Sequence, residues 1–422
     1  MNERARKRRD FIQNITIALL CVTAVLLFAQ TQIYGLGLNG GLLSFLSGND
    51  LPASSSGTGQ TSTALTAPVR VAAASSIGRF GSVTFTTDDD NFESLRGLLE
   101  QALDSARDYT ASGAPAFFQA LDGPSVYYDF LAPLPLSVLG ELVRSEGTEE
   151  LSARRLILSA EEDGVVLYLW DGGSGYFRCH TAISPDTLET TISQYELGNA
   201  FFAYESTDPN AQYVDPYSLF LENEPALPEL SVSVPLSDTD RLLVALDFNP
   251  NTQFRYADAS GAEVVREGGR TLRIHPDGTI TYQSGGSQAL TLTGEEASLL
   301  EAVTAANTLL HNLLDSSSGD AKLYLEGLER SDDGLELRFG YQVGGVPIRF
   351  ADSQSAAEIT LSQGAISSMT IRIRQYTVAG TGSLLLPLRQ ALAIAAEREG
   401  AELFIGYADQ GAGTTGAGWL AE

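Results

Sequence analysis

Five cations near the start of the chain, Arg4, Arg6, Lys7, Arg8 and Arg9, are followed by Phe11 to Ala29, which carries no charge. Charge does not return after Asp10 until Asp50. At about 1.5 Å of rise per residue, a helix of this length crosses most of a hydrocarbon core about 30 Å thick. Cationic flanks stay in the cytoplasm, so residues 1–34 are expected to be a basic cytoplasmic tail and a single membrane helix, with everything beyond Tyr34 outside the cell. A cleaved signal peptide is the competing reading. Its apolar core is usually shorter and ends at a small-x-small site, and Leu27-Phe28-Ala29 is a poor one. Leu20 ahead of Cys21 also argues against a lipoprotein signal.

The acidity of the chain narrows the choice of ligand. The formal charge is −27, and without the tail's five basic and two acidic residues the remainder carries about −30. Lys7 and Lys322 are the only lysines, so nucleic acid, which is held by phosphate-neutralising cations, is excluded as a partner. The two cysteines, Cys21 and Cys179, fall on opposite sides of the expected membrane boundary and offer neither a disulfide nor a cysteine-rich zinc site.

Residues 35–78 read as a Gly/Ser/Thr-rich linker, with Ser54-Ser55-Ser56-Gly57-Thr58-Gly59 near its centre. Gly35-Leu36-Gly37-Leu38-Asn39-Gly40 matches a dinucleotide-binding pattern. It does not leave a strand to open a helix in a βαβ unit, so it carries no such meaning.

The remainder reads as α+β: antiparallel sheets with packed helices in two or three extracytoplasmic domains. The expected divisions are an N-terminal α+β domain at 79–230, a middle hairpin and helix region at 231–317, and a C-terminal α+β domain at 318–422. Leu95, Leu98, Leu99, Leu103 and Ala106 recur at helical spacing after a capping-box pair, Asp90 and Glu93. The triplet Asp88-Asp89-Asp90 lacks the central Gly and distal Glu of a calcium loop and is read as helix capping. A meander follows in Leu156 to Leu158, Val165 to Trp170 and Tyr176 to Thr181.

Three strands between Phe254 and Ser284 turn at Ser260-Gly261, Gly268-Gly269 and Asp277-Gly278. These dipeptides supply the positive φ that tight hairpins need. A helix is expected at Gly294 to Leu314. Leu335, Leu337, Phe339, Tyr341 and Val343 alternate with polar residues or Gly, the pattern of a half-buried strand. Hairpins at Gly344-Gly345 and Gln363-Gly364, a helix at Leu386 to Glu399 and a strand at Glu402 to Tyr407 complete the reading.

No catalytic, cofactor or metal constellation emerges. His275 and His311 have no sequence-local partner, and Cys179 and His180 are strand neighbours facing opposite ways. The chain is therefore read as a non-enzyme without a cofactor. Tyr127-Tyr128-Asp129-Phe130 and Phe201-Phe202 would line a groove in a solute- or wall-binding module, the alternative reading, but are more simply core. An envelope hydrolase would need paired carboxylates in a cleft.

The single N-terminal membrane helix, the segment EVVREGGRTLRIHPDGTITYQS and the stretch LELRFGYQVGGVPIRF…AEITLSQGAISSMTIRIRQY together resemble the YycH/YycI family, YycH more closely. Leu403 to Tyr407 and Trp419 are similar to the close of such domains. The resemblance covers about three quarters of the chain and implies a membrane-anchored extracytoplasmic regulator of a YycG (WalK) sensor histidine kinase in a walled Gram-positive cell, with a sister YycI-like protein as co-partner. It carries over no catalytic residues. Within the membrane helix, Asn14, Ala18, Cys21 and Val25 share one face with a polar entry and small positions, and that face is the expected partner-helix contact.

Overall fold

The computed structural model describes residues 68–76, 80–82, 89–139, 151–236, 239–285, 289–314, 317–331, 334–411 and 413–422. The expected membrane helix, its face of Asn14, Ala18, Cys21 and Val25, and most of the expected linker lie outside them. Among the described residues no helix is long and apolar enough to cross a membrane. The architecture is α+β, dominated by antiparallel sheets with few helices.

The first sheet uses β1 (Arg70–Ala74), β2 (Phe80–Ser82), β3 (Arg107–Ala111), β4 (Ser125–Pro135), β5 (Ser152–Glu161), β6 (Gly164–Trp170), β7 (Tyr176–His180), β8 (Ala200–Phe202) and β9 (Leu219–Leu221), in the order β3-β7-β6-β5-β4-β1-β2-β8-β9. Helix α1 (Asp89–Ser105) buries Leu95, Leu98, Leu99, Ala102 and Leu103, and the Tyr128 hydroxyl of β4 donates to the Leu95 carbonyl at 2.8 Å. Two short helices follow: α2 (Ala114–Gln119) and α3 (Leu136–Leu139). Helix α4 (Pro185–Ile192) starts where Ser184 accepts from the Thr187 N–H and Pro185 supplies a preset φ.

Strand β1 departs from expectation. Arg70-Val71-Ala72-Ala73-Ala74 falls within the expected 35–78 linker, yet it pairs with β4 on one side and β2 on the other and is buried throughout. A strand covered on both faces shows no alternation, and alanines fit a crowded interior where larger side chains do not.

After β10 (Pro228–Ser233) and α5 (Thr239–Ala245), the chain enters a second, larger sheet. Its strands β11 (Arg255–Ala257), β12 (Glu263–Glu267), β13 (Arg270–Ile274) and β14 (Thr279–Ser284) number four where three were expected, because each of the three turns separates two strands; the turns fall at the expected glycines, with φ of 81° at Gly261 and Gly269 and 88° at Gly278. Leu272, Ile274, Ile280 and Tyr282 are buried. Helix α6 (Leu299–Leu314) begins five residues later than expected. Its start is set by a reciprocal cap in which Glu301 accepts from the Ser298 N–H and Ser298 Oγ from the Glu301 N–H.

The remaining strands are β15 (Lys322–Ser331), β16 (Gly334–Val343), β17 (Val346–Phe350), β18 (Ala357–Ser362), β19 (Ala365–Arg372), β20 (Gln375–Gly382), β21 (Leu403–Asp409), β22 (Gly413–Thr415) and β23 (Ala417–Ala421). Helix α7 (Leu388–Ala395) precedes β21 and is shorter than the expected Leu386 to Glu399.

The pairing β14 to β19 joins the hairpins of 231–317 to the strands of 318–422 in one eleven-stranded sheet, so these two regions are not separate domains. Within it β17 and β21 are parallel and the other pairs antiparallel. A third, small sheet has the order β20-β10-β22. One apolar core includes Val71 and Leu156 of the first sheet, Leu230 of β10, and Ile348 and Ile371 of the second.

Candidate functional site

The strongest polar constellation among the described residues is a row of charges across the first sheet. Register places Arg70 of β1 opposite Asp129 of β4, Asp129 opposite Arg155 of β5, and Arg155 opposite Trp170 of β6. These side chains share the sheet face that carries Ala72, Tyr127 and Ile157, the face turned away from α1 and α4. Asp129 and Arg155 are fully buried and Arg70 is 6% exposed. Charges this deep persist only when paired.

Each carboxylate is shared. Asp129 Oδ2 lies 3.4 Å from Arg155 Nε and 3.5 Å from Arg70 Nη2, and Arg154 Nε is 4.0 Å from Oδ1. Oδ1 also accepts from the Leu131 N–H at 2.8 Å, which fixes Leu131 at a φ of 63° inside the bulge between Asp129 and Leu134. From the loop before β9, Asp215 takes a two-pronged bond from Arg155 Nη1 (3.2 Å) and Nη2 (2.9 Å). Glu402, just ahead of β21 in the second sheet, bonds Arg70 and Arg154 and lies 3.3 Å from Arg155. Three guanidiniums thus face three carboxylates, and Glu402 ties the second sheet to the first.

Aromatic rings close the cluster. The Arg155 guanidinium stacks on Trp170 at 4.6 Å and Tyr217 at 5.2 Å, while Phe404 of β21 has Arg70 at 5.4 Å and Arg349 of β17 at 5.5 Å. Arg349 is itself held by Glu326 at 2.7 Å and Glu422 at 2.6 Å. Among the described residues, Arg70 Nε and Nη1 have no hydrogen-bond partner. Arg70 also lines a small cleft with Val69, Ser82, Leu219, Leu221, Pro347 and Phe404.

The electrostatics favour a strut over a proton shuttle. Burial alone would raise the Asp129 carboxyl, but Arg70, Arg155 and Arg154 outweigh it and hold the group at about 2. Burial works against the Arg155 charge too, yet Tyr127, Asp129 and Asp215 push its pKa above the ordinary value. Burial raises Tyr127 well above the phenol range. Asp129, Arg155 and Tyr127 therefore hold fixed protonation states near neutral pH.

The sequence candidates fall elsewhere. His180 is exposed on β7 with Cys179 buried behind it, His275 sits beside the Asp277-Gly278 turn, and His311 is exposed on α6. The structure brings none of them together, and among the described residues no group of His, Cys, Asp or Glu is arranged to hold a metal ion. Tyr127, Tyr128, Phe130 and Phe202 are core residues, while Asp129 is the centre of the network. Its signal was available: an acid between Tyr128 and Phe130 in an apolar strand requires a buried cation.

No family model matches the chain, and no curated protein does. A crystal structure of an uncharacterized protein from Eubacterium rectale ATCC 33656 is similar over 47% of this chain and 76% of that one, at 12% identity and a TM-score of 0.27. A similarity at that level carries no argument about fold or function.

Proposed function

We propose that this chain is a membrane-anchored extracytoplasmic regulator that acts by protein contact, with a cell-envelope sensor histidine kinase and a YycI-like sister protein as partners. The observation that carries the reading is the mutual compensation of the buried charges. Three arginines matched by three carboxylates, with Asp129 held at about 2, brace a body rather than turn over a substrate. The cationic run before Phe11 to Ala29 supports an anchor with its N-terminus inside, and the face of Asn14, Ala18, Cys21 and Val25 offers small residues for close helix approach.

Enlarging Ala18 and Cys21 together to Leu keeps the span apolar while blocking that approach. Kinase output should shift as in a deletion strain, and co-purification of the kinase should weaken. A wild-type response would move the contact to the exterior body. A deletion strain with unaltered two-component output would overturn the regulator reading.

A cluster of rings favours a second reading, a solute- or wall-binding module. Phe118 is 37% exposed and 4.6 Å from Tyr204, and Phe117 packs 5.6 Å from both Tyr176 and Tyr217. Retention on purified wall fragments that is lost in Phe118→Ala would select it.

A further inference from the structure

The geometry points to the loop between β20 and α7 as a second membrane contact, an apolar tip that enters the interface of the bilayer to which the chain is anchored. This rests on the anchored reading above. Leu384 is 97% exposed, Leu386 is 48% exposed, and Leu385 between them packs on the core. The tip is clamped at both ends. Ser383 donates its N–H to the Leu227 carbonyl and its hydroxyl to Pro228, while the Leu386 carbonyl accepts from Trp419 Nε1 at 2.8 Å. Two leucines are thus held outward by a fixed backbone, and Val378 and Ile394, on the elements entering and leaving the loop, are exposed as well.

Charge selects the occupant. The molecule carries −27, yet Gln375 to Leu388 contains no ionisable side chain other than Tyr376, which is buried with its hydroxyl on Asp409; Arg374 before it is buried against Asp409, the Asp320 carboxylate accepts from the Val378 N–H, and the exposed Arg389 follows the tip directly. Acidic surface is repelled by anionic headgroups, so an uncharged tip with a cation at its edge is the part suited to approach them. It protrudes and does not form a groove, which fits insertion into a deformable phase.

The test uses the full chain reconstituted in phosphatidylcholine vesicles, with lipids brominated along the acyl chain as quenchers and Trp170 and Trp419 as common background. Leu384→Trp should add emission that is blue-shifted and mostly quenched by bromolipid, whereas Phe254→Trp, on a different exposed edge, should add emission that is not. If both variants sediment with vesicles and neither is quenched, the proposal fails while the anchor stands. A chain that does not sediment with vesicles overturns the anchor and the proposal together. Emission of Leu384→Trp that shifts with protein concentration in lipid-free detergent, with no quenching in vesicles, assigns the tip to a second copy of the chain and overturns the proposal.

Discussion

Arg70 and Asp129 face each other on neighbouring strands, guanidinium nitrogen 3.5 Å from carboxylate oxygen, in a part of the sheet where Asp129 is fully buried and Arg70 nearly so. Each depends on the other and on Glu402 from the second sheet, so the cluster behaves as one interaction and not as a sum of pairs.

Asp129→Asn leaves two buried guanidiniums, Arg70 and Arg155, and the half-buried Arg154 with two carboxylates. It should cost about 3 to 5 kcal/mol, the usual loss when one partner of a buried ionic pair is removed. Urea unfolding followed by circular dichroism would measure it; a loss below about 1 kcal/mol would mean that water already solvates the site.

Acid should act through the same carboxylate. The Asp129 group is held at about 2 against an ordinary value of 3.8, so its stabilisation is complete above pH 3.8 and disappears as pH falls toward 2. The shift corresponds to about 2 kcal/mol. Wild type should lose that increment in unfolding experiments between pH 4 and 2, and Asp129→Asn should show a correspondingly flatter profile there.

Glu402→Gln and Arg154→Ala remove two ends of one contact between the sheets. The double variant should lose less stability than the two single losses added, with a coupling of about 0.5 to 3 kcal/mol. Strict additivity would show that the contact contributes nothing to joining the sheets.

At Gly334 the backbone itself forbids a side chain. Its φ is 137°, and an added Cβ would stand 2.0 Å from the Leu361 carbonyl oxygen. Gly334→Ala should destabilise by about 2 kcal/mol or more, whereas Gly123→Ala, with nothing within 4 Å of the new atom, should stay within about 0.5 kcal/mol. Thermal unfolding of the two variants side by side tests the contrast.

Local geometry was readable from residues that act locally. Glycine turns at 268–269, 277–278, 344–345 and 363–364 sit where the dipeptides require positive φ, and the alternation from Leu335 to Val343 marks β16 because one strand face is drier than the other. Strands without such contrast escaped: β1 because alanines buried on both faces resemble a spacer, and β22 and β23 because Gly-rich edge segments take their form from the strands beside them. The charge network escaped for a different reason. Arg70 and Glu402 are 332 positions apart, and only the folded topology brings them together.

That separation bears on the order in which the protein can be made. Strand β1 pairs with β2 and β4, which lie close to it in the chain, yet its arginine bonds a carboxylate that is made more than three hundred residues later. Until Glu402 is made, Arg70, Arg154 and Arg155 have only Asp129 and Asp215 to pair with, one negative charge short. Charge balance in the first sheet is thus completed by one carboxylate, Glu402, that precedes β21.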